Sequence, residues 1–246
     1  GSISIGEPFF NSIFHILAIP FALLLGVGPW VRWKQQPVRP LLKPVLLIGG
    51  FTVLVALAAL SLYQELAANL ALLGLLLGVW VLSATGAEVW QKLDLLGGVR
   101  AIGKLSASHW AMVLGHVGFA VLVIGVAMTK TYSIEKDVRM KIGDTVKLEH
   151  YSFVLSDVYP LQGPNYGGQA AELEVYDEGI KINHLHAEKR FYPVTRATMT
   201  EAAVDMSITR DLYVALGEEL PGPSWALRIY VKPFVRWIWF GGILMA

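Results

Sequence analysis

The sequence predicts a polytopic α-helical membrane protein with an inserted all-β extracytoplasmic domain, folded as a small sandwich or barrel. The 246 residues are 54% hydrophobic with a mean hydropathy of +0.52, above the roughly 45–50% apolar content of soluble domains. Several apolar runs in the first half are long enough to cross a bilayer as helices. After Lys130, short segments alternate apolar and polar residues with a period of two, which indicates half-buried β-strands.

Residues 1–129 are expected to form four transmembrane helices, at about 9–30, 45–62, 66–87 and 109–128. Pro20 lies inside the first run and removes one backbone hydrogen bond, so we expect a kink there. The connection at 88–108 is expected to include an interfacial helix.

The basic residues set the orientation. Seven Lys and Arg precede Lys130, and all of them lie in the loops at 32–44 and 88–108. Because cytoplasmic loops carry an excess of Lys and Arg, these two loops are expected to face the cytoplasm. The fourth helix then runs outwards, and the region that follows it is exported.

The exported region, 130–232, is expected to be the β domain. Predicted strand segments alternate with turn signals rich in Gly, Pro, Asn and Asp; the segments are 146–148, 151–155, 171–176 and 225–231. Residues 233–246 are apolar but give only about 20 Å of helix, short of the roughly 30 Å that a span needs. We therefore expect them to be the start of a truncated fifth transmembrane helix, and the chain to be a piece of a longer protein.

Composition excludes several classes of site. The formal net charge is only +1, and the bases after Lys130 are mixed with acids, which gives no support to nucleic-acid binding. The chain contains no Cys, so it has no disulfide, thiol nucleophile or thiolate metal site. No Ser-His-Asp order, paired-carboxylate pattern or phosphate loop stands out, and we predict no catalytic residue in this chain.

His116 is the strongest candidate for chemistry. It lies seven residues after His109, about 10 Å along the fourth helix, at a depth where an ionisable side chain is costly and usually functional. Gly115, Gly118 and Gly125 fall on the other side of that helix and are suited to close helix packing. From spacing alone, a neutral imidazole here can ligate haem iron, relay a proton or hydrogen-bond a neighbouring helix, and the hydrogen bond is favoured as much as the other two roles together. Ligation needs a partner on another helix, and no other deep His is present in the sequence.

The remaining histidines are weaker candidates. His15 and His109 are expected to lie near the membrane interface. His184 and His186 share one face of a predicted strand at i, i+2. A third metal ligand is missing from the pattern, so a solvated strand face is favoured over a metal site.

Nine blocks of sequence resemble the CcmF family of cytochrome c maturation proteins, in its C-terminal portion. They run the whole length of the chain: GSISIGEPFFN (1–11), LLLGVGP (23–29), HWAMVLGHVG (109–118), YSIEKDVR (132–139), GPNY (163–166), AEKRFY (187–192), MTEAAVD (199–205), TRDLYVALGE (209–218) and KPFVRWIW (232–239). Met206 and Ser207 replace glycines that the family leads us to expect.

The resemblance implies part of a haem lyase in the bacterial inner membrane, multi-pass, with its β domain in the periplasm. Such a protein receives haem from the chaperone CcmE and attaches it to apocytochrome c held by CcmH and CcmI. It carries a transmembrane haem b, thought to reduce the haem being transferred, with two histidine ligands. His116 matches the second of these axial ligands to the iron. The first ligand and the haem-handling segment lie upstream, so this fragment alone is expected to be inactive.

Three alternatives remain open. The chain is similar enough to the nitrite-reductase branch, NrfE, for that assignment to stand. A membrane-anchored docking module without chemistry of its own also fits, because the β domain shows no catalytic pattern. A proton-coupled transporter that uses His116 is weaker, since neither discontinuous helices nor repeats are visible.

Overall fold

The computed structural model describes residues 7–31, 38–62 and 70–246, and the chain divides into two compact units. One unit comprises residues 1–131 and 237–246, and the other comprises residues 132–236. Residues 32–37 of the first predicted loop and the predicted start of the third helix at about 66 fall outside the described residues.

The first unit is helical in its described part. Three of its helices are long and apolar enough to cross a membrane, over Arg39–Ser61, Leu70–Leu95 and Ala107–Tyr132, and two shorter apolar stretches cover Ile16–Trp30 and Val235–Met245. The protein is therefore a membrane protein. Its helices are α1 (Glu7–Val27), α2 (Val38–Leu62), α3 (Leu70–Leu95), α4 (Ala107–Tyr132) and α5 (Val235–Met245), with 3₁₀ turns at Gly28–Trp30 and Val99–Lys104.

Helix α3 continues eight residues beyond the end expected from the sequence. The expected end at residue 87 stood just before an acid, Glu88, which is normally expensive inside a bundle. In the structure Glu88 is only 5% exposed and is paired with Lys92 one turn later. The carboxylate of Glu88 is therefore buried within helix α3's packing surface, and the connection from α3 to α4 is shorter than expected.

Helix α4 packs against α3 through small residues. A Cβ atom at Gly74 would lie 2.1 Å from the Cβ of Ala127, and one at Gly78 would lie 2.4 Å from Ile124. Both distances are too short for a real side chain, so these glycines set how closely the two helices approach.

The opposite side of α4 meets α5. A Cβ at Gly118 would lie 2.7 Å from the carbonyl oxygen of Gly241, and one at Gly125 would lie 3.0 Å from the backbone of Ile238. Gly115, the third glycine of the predicted packing face, has nothing within 4 Å among the described residues. Helix α4 is therefore enclosed on two sides within its unit.

The second unit is a β-sandwich of nine strands, which resolves the choice between sandwich and barrel. A four-stranded sheet has the order β1-β9-β8-β7, and a five-stranded sheet has the order β2-β3-β4-β5-β6, with antiparallel neighbours throughout. The strands are β1 (Ile134–Met140), β2 (Thr145–Leu148), β3 (Tyr151–Gln162), β4 (Gly167–Asp177), β5 (Ile180–Tyr192), β6 (Ala197–Glu201), β7 (Ala203–Met206), β8 (Arg210–Leu220) and β9 (Ser224–Pro233).

The sandwich buries one continuous apolar core between its sheets. Phe153 and Leu173 come from the five-stranded sheet, while Leu212, Leu227 and Ile229 come from the four-stranded sheet, and each is at most 1% exposed. Alternate residues on each strand point inward, as period-two patterning requires. Polar side chains are therefore left on the two outer faces, where the remaining candidate residues lie.

Candidate functional site

His116 lies in α4, nine residues after the helix begins, and is half-buried. Its ring nitrogen Nδ1 is 2.8 Å from the main-chain carbonyl oxygen of Met112, one turn earlier in the same helix. A carbonyl oxygen only accepts hydrogen bonds, so Nδ1 is the nitrogen that carries the hydrogen. In the neutral ring, Nε2 then holds the free lone pair.

This geometry separates two readings that the sequence left open. The hydrogen bond of His116 stays within α4, and among the described residues neither ring nitrogen bonds to a neighbouring helix. An inter-helix bridging role therefore finds no support in this part of the chain. A ring with Nδ1–H on a backbone carbonyl and Nε2 free is the usual arrangement of a metal-ligating histidine, because the second-shell bond fixes the tautomer and the ring orientation.

The helix face that carries His116 is apolar further along. Ala120 and Val123, one and two turns later, pack in a buried cluster with Leu77 and Val81 of α3 and with Ala22 of α1. These apolar side chains carry no hydrogen-bonding group that could compete for the ring nitrogens of His116. The surroundings thus suit a nitrogen ligand.

His109 lies near the start of α4 and is buried by neighbouring side chains. It is 7% exposed, its Nδ1 lies 2.8 Å from Lys92 Nζ, and its Nε2 lies 3.6 Å from Glu88 Oε2. The ammonium of Lys92 also contacts Glu88 Oε1 at 2.8 Å. The three side chains form a polar cluster that joins α3 to α4, and both ring nitrogens of His109 face this cluster.

Sequence reasoning missed Glu88 because it was assigned to a loop. Two signals were nevertheless available: Lys92 follows it at i+4, the spacing of a helical ion pair, and His109 stands at the start of the next helix. The side chain of His15 lies outside the described residues.

His184 and His186 lie on the outer face of the five-stranded sheet, with side chains 50% and 41% exposed. His186 places Nδ1 2.7 Å from Glu172 Oε1 and Nε2 2.7 Å from Glu188 Oε1. Both partners are carboxylates, which accept, so the ring donates from both nitrogens and has no lone pair for a metal. The part of the chain that the structure describes holds no group of three or more potential metal-binding side chains.

The pKa values of this cluster move in opposite directions. Hydrogen bonds to Glu172 and then Glu188 raise the pKa of His186 above its usual value. Burial alone would raise the pKa of Glu172, but hydrogen bonds from His186 and Tyr159 outweigh it, and the net shift is downward. The pKa of Glu188 is also lowered, because bonds from Arg190 and His186 outweigh its burial. The cluster is therefore a charged network at the surface of the sandwich.

Comparison with known proteins gives one family match and several similar sequences. Residues 131–233 match the model described as the CcmF C-terminal beta-sandwich. The cytochrome c-type biogenesis protein CcmF of Escherichia coli strain K12 is 45% identical over 246 residues, covering the whole of this chain and 37% of that protein. The protein NrfE of Haemophilus influenzae is 31% identical over 255 residues, covering this whole chain and 38% of that protein.

One solved structure, named as the cytochrome c heme lyase CcmF, superposes with a TM-score of 0.75. It is 22% identical, and the match covers 98% of this chain and 39% of that one. At this identity the likeness establishes a shared fold. The chain thus spans a little over a third of the length of the relatives that it matches.

Proposed function

Because the chain belongs to the CcmF family of cytochrome c-type biogenesis proteins, we propose that it is part of a haem lyase for cytochrome c maturation. The complete protein would receive haem from a chaperone of the CcmE type and attach it to apocytochrome c held by CcmH and CcmI. Within this chain, His116 is the axial ligand to a transmembrane haem b. The second axial ligand is supplied by a part of the protein outside this sequence.

One observation carries the assignment of His116. The 2.8 Å contact from Nδ1 to Met112 O directs the hydrogen of the ring into its own helix. The lone pair of Nε2 is then available, and the ring is held by a backbone atom that no side-chain substitution removes. Haem b, when bound there, supplies one-electron redox chemistry, with a potential that depends on this hydrogen bond and on burial.

The packing of α4 against its neighbours supports this role. Gly118 and Gly125 hold α4 against α5, and Gly74 and Gly78 hold it against α3. These close contacts fix the helix on both sides, so the imidazole is presented from a rigid element. Holding the imidazole in place is the task that this chain performs for the redox centre.

The β-sandwich is proposed to stand in the periplasm of a bacterial cell, as the distribution of basic residues favours. Its role is docking of the maturation partners. The charged network of Glu172, His186 and Glu188 supplies a polar surface rather than a catalytic constellation. Docking without chemistry in this domain and haem ligation in the membrane unit are compatible within one protein.

A second candidate is an NrfE-type lyase subunit specific for nitrite reductase. The 31% identity to a protein of that name favours keeping it, although the CcmF relatives reach 45%. Both candidates share the ligand assignment of His116, and they differ in the apocytochrome that the complete protein accepts.

The absorption spectrum of the full-length protein tests the ligand. His116→Ala should lose the haem b Soret band, because one axial nitrogen is removed. Leu114→Ala, at an exposed position of the same helix, should keep it. A wild-type spectrum in His116→Ala would end the assignment.

A further inference from the structure

The turn between β7 and β8 carries two exposed aliphatic side chains and no charge. Strand β7 ends at Met206, which is 62% exposed, and Ile208 at the tip of the turn is 75% exposed. The turn is closed by a hydrogen bond from Ser207 N to Arg210 O, 2.9 Å long. The turn therefore presents two exposed apolar side chains and no charged group over residues 206–209.

The turn is tied to the start of the apolar helix α5. The backbone nitrogen of Phe234 donates to the carbonyl oxygen of Thr209 at 2.9 Å, and α5 begins with the next residue, Val235. Asp211, two residues after Thr209, forms an ion pair with Arg236 of α5, with 3.2 Å between Asp211 Oδ2 and Arg236 Nη2. The turn is thus bonded to the residues at which α5 begins.

Two basic side chains lie beside the turn: one forms an ion pair, and the other lies over aromatic rings. Arg210 Nη1 pairs with Asp205 Oδ2 at 2.5 Å across the base of the turn. Lys232 lies over the ring of Tyr230 at 4.3 Å and near that of Tyr213 at 5.4 Å. Tyr and Lys side chains with an apolar body and a polar tip are typical of the headgroup region of a bilayer.

We propose that the turn formed by residues 206–209 inserts Met206 and Ile208 into the lipid bilayer at the headgroup boundary. The partner is the membrane surface, and the turn anchors the four-stranded sheet directly to lipid. This inference rests on the membrane placement of α5 in the proposed function, but it is independent of any haem ligand. Lys232, whose ammonium lies over the ring of Tyr230, suits the headgroup region beside the two apolar side chains.

Site-specific fluorescence tests the contact in the full-length protein. This chain has no Cys, so after replacement of any cysteine elsewhere, Ile208→Cys can be labelled with an environment-sensitive dye and reconstituted in phosphatidylcholine and phosphatidylglycerol vesicles. The expected result is blue-shifted emission, quenched several-fold more by lipids that carry a quencher near the headgroup than by a soluble quencher. Val194→Cys is the control, because Val194 is 91% exposed on the turn between β5 and β6.

Three results would overturn the proposal. Emission at position 208 that matches dye in water would mean that the turn stays in solvent. Blue-shifted emission without quenching by lipid would mean that protein covers it. Equal lipid quenching at positions 208 and 194 would remove any special role for this turn. The readout does not depend on haem, so it stays interpretable if His116 proves not to be a ligand.

Discussion

The ring of His116 is bonded to the carbonyl oxygen of Met112 through Nδ1, 2.8 Å away and one helical turn earlier. That bond settles which nitrogen holds the hydrogen and leaves Nε2 facing away from its own helix. The depth of His116 had marked it as costly and functional. The hydrogen bond at Nδ1 shows in addition that Nε2 is the nitrogen that carries the lone pair.

Removing the carboxylate of Glu88 should weaken the packing of α3 on α4. In Glu88→Ala, Lys92 and the buried ring of His109 lose their acidic partner, which should cost on the order of 1–3 kcal/mol. The melting temperature of the full-length protein in detergent should fall. Asp94→Ala is the matched control, since Asp94 is exposed on the same helix. Equal melting temperatures for the two variants would contradict a stabilising role for the cluster.

The glycines of α4 should respond unequally to an added methyl group. Gly118→Ala places a Cβ 2.7 Å from Gly241 O, and the resulting displacement of α5 should cost about 1–3 kcal/mol. Gly115→Ala meets nothing within 4 Å in the described part of the chain and should be neutral, or stabilising by up to about 1 kcal/mol through helix propensity. Thermal unfolding of both variants measures the difference, and the reverse order would show that α5 does not pack on this face.

The charged network on the sandwich should stabilise the domain most between pH 4.5 and 6.5. The raised pKa of His186 means that its contribution is complete below the unfolded value of 6.5 and is lost as the pH rises through the folded value. The lowered pKa values of Glu172 and Glu188 mean that theirs is present above 4.5 and is lost as the pH falls.

Amide hydrogen exchange in β4 and β5 of the full-length protein, corrected for intrinsic rates, measures this pH dependence. Protection should peak inside the window, and His186→Phe should flatten the alkaline side of the peak. His150→Ala should leave the profile unchanged, because His150 lies in the turn between β2 and β3 and contacts Asp177 instead of the network. A flat wild-type profile would mean that the network adds nothing to stability.

The 246-residue chain expressed alone should neither bind haem b tightly nor attach haem to an apocytochrome. Under the proposed function, His116 is one axial ligand and the second belongs to another part of the complete protein, so this chain lacks one of the two nitrogens that hold the haem. A pyridine haemochrome assay on the purified chain measures bound haem. Stoichiometric haem with the spectrum of two histidine ligands would show that a second ligand lies within these residues.

Secondary structure was easiest to predict where apolar residues followed a regular pattern along the sequence. Alternation at residues 225–231 predicted β9, and the apolar run at 109–128 predicted the core of α4. Strand β5 was harder to recognise, because only Leu185 and Ala187 of its thirteen residues are buried and its polar positions pair with side chains on β4. No period reveals such pairing, which depends on sheet register.

The place of His116 within a long apolar helix was predictable from the sequence, and the hydrogen bond of its ring was not. Counting residues from His109 placed His116 at depth, but the choice between a bond within α4 and a bond to another helix depends on the rotamer, which no pattern encodes. Glu88 was misplaced for the opposite reason. Its charge predicted a solvent-exposed position. In the structure, the ion pair with Lys92 and the nearby ring of His109 offset the free-energy cost of burying the carboxylate.

Rescue of the haem spectrum by free imidazole tests the central claim most directly. In His116→Gly of the full-length protein, the Soret band of haem b should be lost or shifted, and millimolar imidazole should restore it by supplying the missing nitrogen. The same imidazole should leave Leu114→Gly unchanged. A wild-type Soret band in His116→Gly without imidazole would contradict ligation by His116.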